Sequence, residues 1–406
     1  MTLAVLIILT YFGRYPLGRL VYFSLGAILS LGPAELTNSK VYYLCVLSIF
    51  SLLSIKNLSR GSKIPRETKQ RVLTFSIALI VLLFINFVSS YLNNFTPIEI
   101  IRGQTALLIF LFGIPIAIWS GRELYTETIL DYAVALGVFS AFAFWYVWSQ
   151  NRGLLVFQNS RIALASEWTA FLCLAITFTT ARLNLFRSLA YSISSLAVGI
   201  LMLASLTRTN ILLSLWILLV SIGSKSGRFL SMFKIVSLAS AGFFLLSFAT
   251  PGLLSSAAFV KRIDESWTRF LSGGFSSSGL GSDGSLVMRR AQAKLAKELF
   301  NENPIVGSGQ LPIGETFDTI VASLAQYGII GIFLFSVVFY QLFRVILAPM
   351  NGITFFAIPF FSALIPASLI YNWIGGRSIW ISLIIILAIS LSQQKHLHSI
   401  KTAGTS

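Results

Sequence analysis

The chain has 406 residues, 56% of them hydrophobic and only 11% charged, with a mean hydropathy of +0.82. Soluble domains carry about 25% charged residues, so this composition, with its repeated apolar runs of membrane-spanning length, specifies an all-α polytopic membrane protein. The two cysteines, Cys45 and Cys173, lie inside apolar runs, and the two histidines, His396 and His398, lie in the C-terminal tail. That usage excludes a disulfide framework, a cysteine metal site and a histidine-based triad in the body of the chain.

In chain order, residues 1–13 are apolar but short for a bilayer core of about 30 Å. They read as an interfacial or partial segment, without the basic n-region and cleavage site of a secretory leader. Twelve spans are predicted, at 17–33, 40–56, 72–93, 103–119, 129–149, 168–183, 188–206, 211–224, 230–249, 318–343, 353–371 and 378–393. They divide the chain into an N-terminal transmembrane bundle (1–249), a long loop with an amphipathic helix (250–317), and C-terminal transmembrane helices with a polar tail (318–406).

The net charge of +16 would suit nucleic acid, but its placement points to a membrane instead. When successive spans alternate, one side collects 17 Lys/Arg against 4 Asp/Glu (Glu67, Glu123, Glu127, Asp131), and the other 13 against 10. Lys/Arg bias in short loops sets orientation, so the richer side is expected in the cytoplasm. Its most basic stretch, KNLSRGSKIPRETKQR at 56–71, reads as a topology signal or as a contact with anionic headgroups.

Two loops stand out on the opposite side, 150–167 and 250–317, and loops of the second length are usually functional. Walker A, GxSxG, HExxH and CxxC patterns are all missing, so ATP-driven transport by this chain alone has no motif behind it. Within the long loop a helix is predicted over 285–300, ending at Asn303-Pro304 because proline lacks a donor and disfavours helix before it. Met288, Ala291, Leu295 and Leu299 form its apolar stripe, and Arg290, Lys294 and Lys297 share another face. That face reads either as solvated or as phosphate-binding. A glycine-dense turn follows at 306–314.

Arg208 lies in Ser205-Leu206-Thr207-Arg208-Thr209-Asn210, which joins two spans with almost no loop. An arginine so placed is a functional-site candidate, against the alternative of snorkelling to headgroups. Arg377 in NWIGGRS is the analogous case, and Arg161 stands near Glu167 as a possible ion pair. With Arg289 and Arg290 these arginines face the outer side, and arginine forks bind pyrophosphate bidentately without a metal or cofactor. A lipid-linked pyrophosphate fits such a membrane site. Glu315 and Asp318 stand where the long loop re-enters the membrane. Either can serve as a general base, and Asp318 alternatively as a helix cap.

Three stretches carry a resemblance: SLTRTNILLSL (205–215), MRRAQAKLAKELFNENPIVGSG (288–309) and FDTIVASLAQYGIIG (317–331). With these the sequence resembles the O-antigen ligase/polymerase superfamily, and within it Wzy-type O-antigen or exopolysaccharide repeat-unit polymerases. Arg208, Arg289, Pro304, Gly307, Gly309 and Gly328 fall at the family's motif places. The family's ligases carry a histidine where Phe317 stands here, followed by Asp318, which disfavours ligase.

The resemblance implies a metal-independent, cofactor-free glycosyltransferase on a GT-C-like scaffold, in the bacterial inner membrane with its active site facing the periplasm. It would lengthen undecaprenyl-pyrophosphate-linked oligosaccharide, alongside a polysaccharide chain-length regulator. Arg208 and Arg289 would act at the reacting centre with Asp318 or Glu315. Arg161, Arg290 and Arg377 would join them in holding pyrophosphate. O-antigen ligase and, from another class, a lipid-linked glycan flippase are the alternatives.

Overall fold

The computed structural model describes residues 48, 51, 64–150, 167–179, 185–204, 208–223, 284–309, 319–348, 354–370 and 377–403. The regular elements among the described residues are all helical: α1 Arg66–Leu92, α2 Pro97–Gly103, α3 Thr105–Glu123, α4 Thr126–Gln150, α5 Glu167–Thr179 and α6 Leu185–Ala204. The series continues with α7 Arg208–Gly223, α8 Gly284–Glu302, α9 Thr319–Leu347, a 3-10 turn Thr354–Phe356, α10 Ala357–Ile370 and α11 Arg377–Ala403. Four stretches among the described residues are long and apolar enough to cross a membrane: Arg66–Leu92, Thr105–Glu123, Val321–Leu347 and Ser378–Lys395. The spans predicted at 17–33 and 230–249, and that at 40–56 apart from Ser48 and Ser51, lie outside the described residues.

α11 forms the axis of the bundle. Its apolar stretch is 94% buried, as expected of a helix hydrophobic all round. α3 lies closely against it: a Cβ on Gly121 would sit 2.6 Å from Leu391 Cβ and 2.9 Å from the Ala388 carbonyl oxygen. Small residues permit such helix approach where lipid supplies no hydrophobic drive. Trp380 packs against Phe110 with ring centroids 5.0 Å apart and planes tilted by 43°. On α1, Leu73, Ile77, Ile80, Phe84 and Val88 point outward and exposed, and Phe333 does so on α9. Outward apolar stripes on long apolar helices are what lipid contact requires.

Tertiary contacts fix helix directions. Thr68 Oγ1 donates to Gln394 Oε1 (2.7 Å) and Gln394 Nε2 to the Val345 carbonyl (2.9 Å). The start of α1, the end of α9 and the late part of α11 are thus at one end. Ser392 Oγ donates to the Leu124 carbonyl at 3.0 Å, and Lys395 Nζ to the Arg122 carbonyl, bringing in the α3–α4 junction. Arg187, at the start of α6, pairs with Glu127 and, at 3.1 Å, with Asp131, which also accepts from Tyr191. The Glu127 hydrogen bond, ahead of opposing burial, raises the Arg187 pKa above its ordinary value.

This end therefore gathers Arg71, Arg122, Arg187, Arg344, Lys395 and all four carboxylates that span alternation assigned to the basic side. It is called the basic end below. The starts of α5, α7 and α11 and the end of α1 fall at the opposite end: Trp168 N donates to Ser378 Oγ (3.4 Å), and α7 begins just after α6 ends.

Candidate functional site

α8 stops at Glu302, where the sequence places its proline stop, and residues 303–309 turn back onto α9. Gly307 and Gly309 both have φ 75° and Gly328 has φ 62°, a region closed to most side chains. At Gly328 α9 breaks into segments 319–327 and 329–347. The span predicted over 318–343 therefore has a break inside it. Its second segment is about 28 Å long, one hydrocarbon core.

The break frees two carbonyls and two amides, and the turn takes up all four. Ile329 N donates to the Pro304 carbonyl (2.9 Å) and Ile330 N to the Ile305 carbonyl (3.1 Å). In return Ser308 donates to the Ala325 carbonyl through both N and Oγ (2.8 Å each), and Gly309 N donates to the Gln326 carbonyl (3.1 Å). Broken backbone inside a membrane bundle survives only where protein satisfies it in this way.

The end of α1 locks the turn from the other side. Ser89 Oγ donates to the Gly307 carbonyl (2.6 Å) and Asn93 Nδ2 to that of Ser308 (2.9 Å). Asn86 Nδ2 reaches the Gln326 carbonyl (3.4 Å) while its Oδ1 accepts from Gln104 Nε2 (2.6 Å). The space is full. A Cβ would lie 2.5 Å from the Gln326 oxygen if placed on Gly307, 2.4 Å from Ser90 N on Gly309, and 2.4 Å from the Ile305 oxygen on Gly328.

Sequence reading missed Asn86, Ser89, Asn93 and Gln104. The signal was there: NFVSSYLNN puts polar residues at i, i+3 and i+7 on one face of an otherwise apolar helix.

Of the predicted site residues, Arg208 and Arg377 open α7 and α11 at the same end of the bundle as the glycine turn. α5 lies between those helices and touches both. Helix N-termini bear partial positive charge, so this end favours anions before the arginines are counted. Arg289 and Arg290 sit on α8, about 20 Å along its axis from Asn303. Arg161, Glu315 and Asp318 lie outside the described residues.

The stripe expected on α8, to lie on the membrane surface or on the bundle, is covered by protein only in part. Ala291 is exposed, Leu295 and Leu299 are half-buried, and among the described side chains of α8 the fully buried one is Ala296, with Phe300 half-buried. α8 touches α9, and the turn that follows it is hydrogen-bonded to the α9 backbone, so contact with α9 rather than the whole-helix period decides which face is covered. Lys294 and Lys297 are exposed, and the Lys294–Glu298 pair at 3.9 Å is a solvated one worth little. Among the described residues no three His, Cys, Asp or Glu side chains come together as a metal site. A scan of protein-family models matches none to this chain, and a search of curated proteins finds no match.

Proposed function

We propose that the protein is a glycosyltransferase that polymerises undecaprenyl-pyrophosphate-linked repeat units for O-antigen or exopolysaccharide. In this reading it crosses the bacterial inner membrane about twelve times on a GT-C-like scaffold, with the loop end in the periplasm. The observation that carries it is the gathering at one end of two arginine-led helix starts, Arg208 and Arg377, and of the glycine turn. The turn's Pro304, Gly307, Gly309 and Gly328 are the residues on which the sequence resemblance rests.

The chemistry asked of the protein is modest. Guanidinium forks and helix N-termini hold the pyrophosphate and stabilise its charge as it leaves the donor sugar. A carboxylate at the loop re-entry, Asp318 or Glu315, takes the proton of the acceptor hydroxyl as the glycosidic bond forms.

The test is purified protein in detergent with undecaprenyl-pyrophosphate-linked oligosaccharide as the only sugar source. Lengthening of the lipid-linked glycan is expected. Arg208→Lys should lower its rate by at least about tenfold with an unchanged melting temperature, since one ammonium cannot replace a bidentate fork. Asp318→Asn should lower it by about 10² or more. Movement of unlengthened substrate across a vesicle membrane would instead mean a flippase, and transfer to a lipid A acceptor a ligase.

A further inference from the structure

At the basic end, far from the glycine turn, a cleft of about 450 Å³ opens between α1 and α9. Glu67 and Arg71 line it from the first turns of α1, and Tyr340, Phe343, Arg344 and Leu347 from the last turns of α9. We infer that this cleft holds the headgroup of an anionic glycerophospholipid.

Its height is right for a headgroup. Segment 329–347 is about as long as one hydrocarbon core, so Tyr340 to Leu347 occupy its last two turns or so, at the membrane boundary. Its charge is right as well. Arg71 is paired with Glu67, and Arg344 lies 6.0 Å from the Tyr340 ring centroid, at the edge of cation–π range. A ring face engages none of the guanidinium N–H groups. No hydrogen bond or ion pair to Arg344 is found among the described residues, so its fork remains open to a phosphate.

Among the described residues Glu67 is the one carboxylate lining the cleft, and its side chain is 73% exposed, so water weakens its hold on Arg71. The chain also reaches α1 through its most basic stretch, 56–71. Apolar surface continues from the cleft along α9, where the exposed Phe333 stands two turns before Tyr340 on the same face and acyl chains can lie. An aromatic and basic mouth above an apolar outer face suits a lipid better than a soluble anion, which would gain nothing from that face.

The experiment uses the full chain in detergent, titrated with phosphatidylglycerol or phosphatidylcholine, with thermal melting and retained lipid as readouts. Phosphatidylglycerol should raise the melting temperature and phosphatidylcholine should not. Arg344→Gln, at an exposed position where folding is not at stake, should weaken phosphatidylglycerol about fivefold. Glu67→Gln should tighten it. Lys69→Gln, on the same helix but outside the cleft, should leave it unchanged. Equal response to the two lipids, or an equal loss from Lys69→Gln, overturns the site. Displacement of the lipid by millimolar inorganic phosphate would reduce it to an ion site and overturn the lipid assignment.

Discussion

The two ends of the bundle are held together in different ways. At the loop end, residues 303–309 and the broken α9 exchange backbone hydrogen bonds through three glycines. At the basic end, whole helices meet through side chains: Thr68 with Gln394, Ser392 with the Leu124 carbonyl, Arg187 with Glu127 and Asp131. Backbone joints bring chains too close for a Cβ, so they hold one geometry or fail. Side-chain clasps are longer and adaptable, and each is worth only a modest net amount. The rigid joint lies at the same end as Arg208 and Arg377, and the pyrophosphate site proposed there would need fixed geometry. The adaptable clasps lie where Arg71, Arg122, Arg187, Arg344 and Lys395 gather.

If that contrast holds, substitutions at the loop end should cost most. Gly309→Ala is expected to destabilise by about 3 kcal/mol, combining a left-handed backbone cost of about 1–2 kcal/mol with overpacking against Ser90 N. A clear drop in melting temperature in detergent should follow. An unshifted melt would mean that the turn does not close on α1.

Asn86→Ala ranks next. It removes the shorter of the Gln104 amide's two hydrogen bonds, leaving only the long one to the Leu83 carbonyl (3.4 Å), and takes a donor from the Gln326 carbonyl, at a cost of about 1–3 kcal/mol. Hydrogen exchange should then quicken at the Gly309 amide, which shares the Gln326 acceptor. Protection lost only at the basic end would contradict the assignment.

Thr68→Val tests the other side of the contrast. It removes one clasp, but Gln394 keeps the Val345 carbonyl through its Nε2. The expected cost is about 1 kcal/mol or less, read as a small shift in the same melt. A loss as large as that of Gly309→Ala would erase the distinction between the ends.

Much of the site's frame was legible in the residues. Pro304 set the end of the loop helix because proline cannot continue a helix. Gly307 and Gly309 were visible as a turn because glycine clusters mark positive φ. The division of charge by span alternation also gathered, among the described residues, partners that the fold brings together, such as Arg187 with Glu127 and Asp131. The break in α9 was not legible. Gly328 stands in an apolar run that reads as one span, and a lone glycine in a helix is ordinarily tolerated. Whether it breaks the helix depends on an outside donor and acceptor set arriving to replace the lost bonds.

The sequence by itself determined that this is a helical membrane protein and where many of its helices run. Those properties depend on local quantities: apolar run length, the missing donor of proline, the lack of a Cβ. Only the tertiary structure decided that Asn86, Ser89 and Asn93 meet Gly307 and Ser308, and that Ala296 rather than Ala291 is the covered face of α8. Hydrogen bonds across 215 or more residues have no local signature, because a buried carbonyl takes whichever donor the packing of distant helices delivers to it.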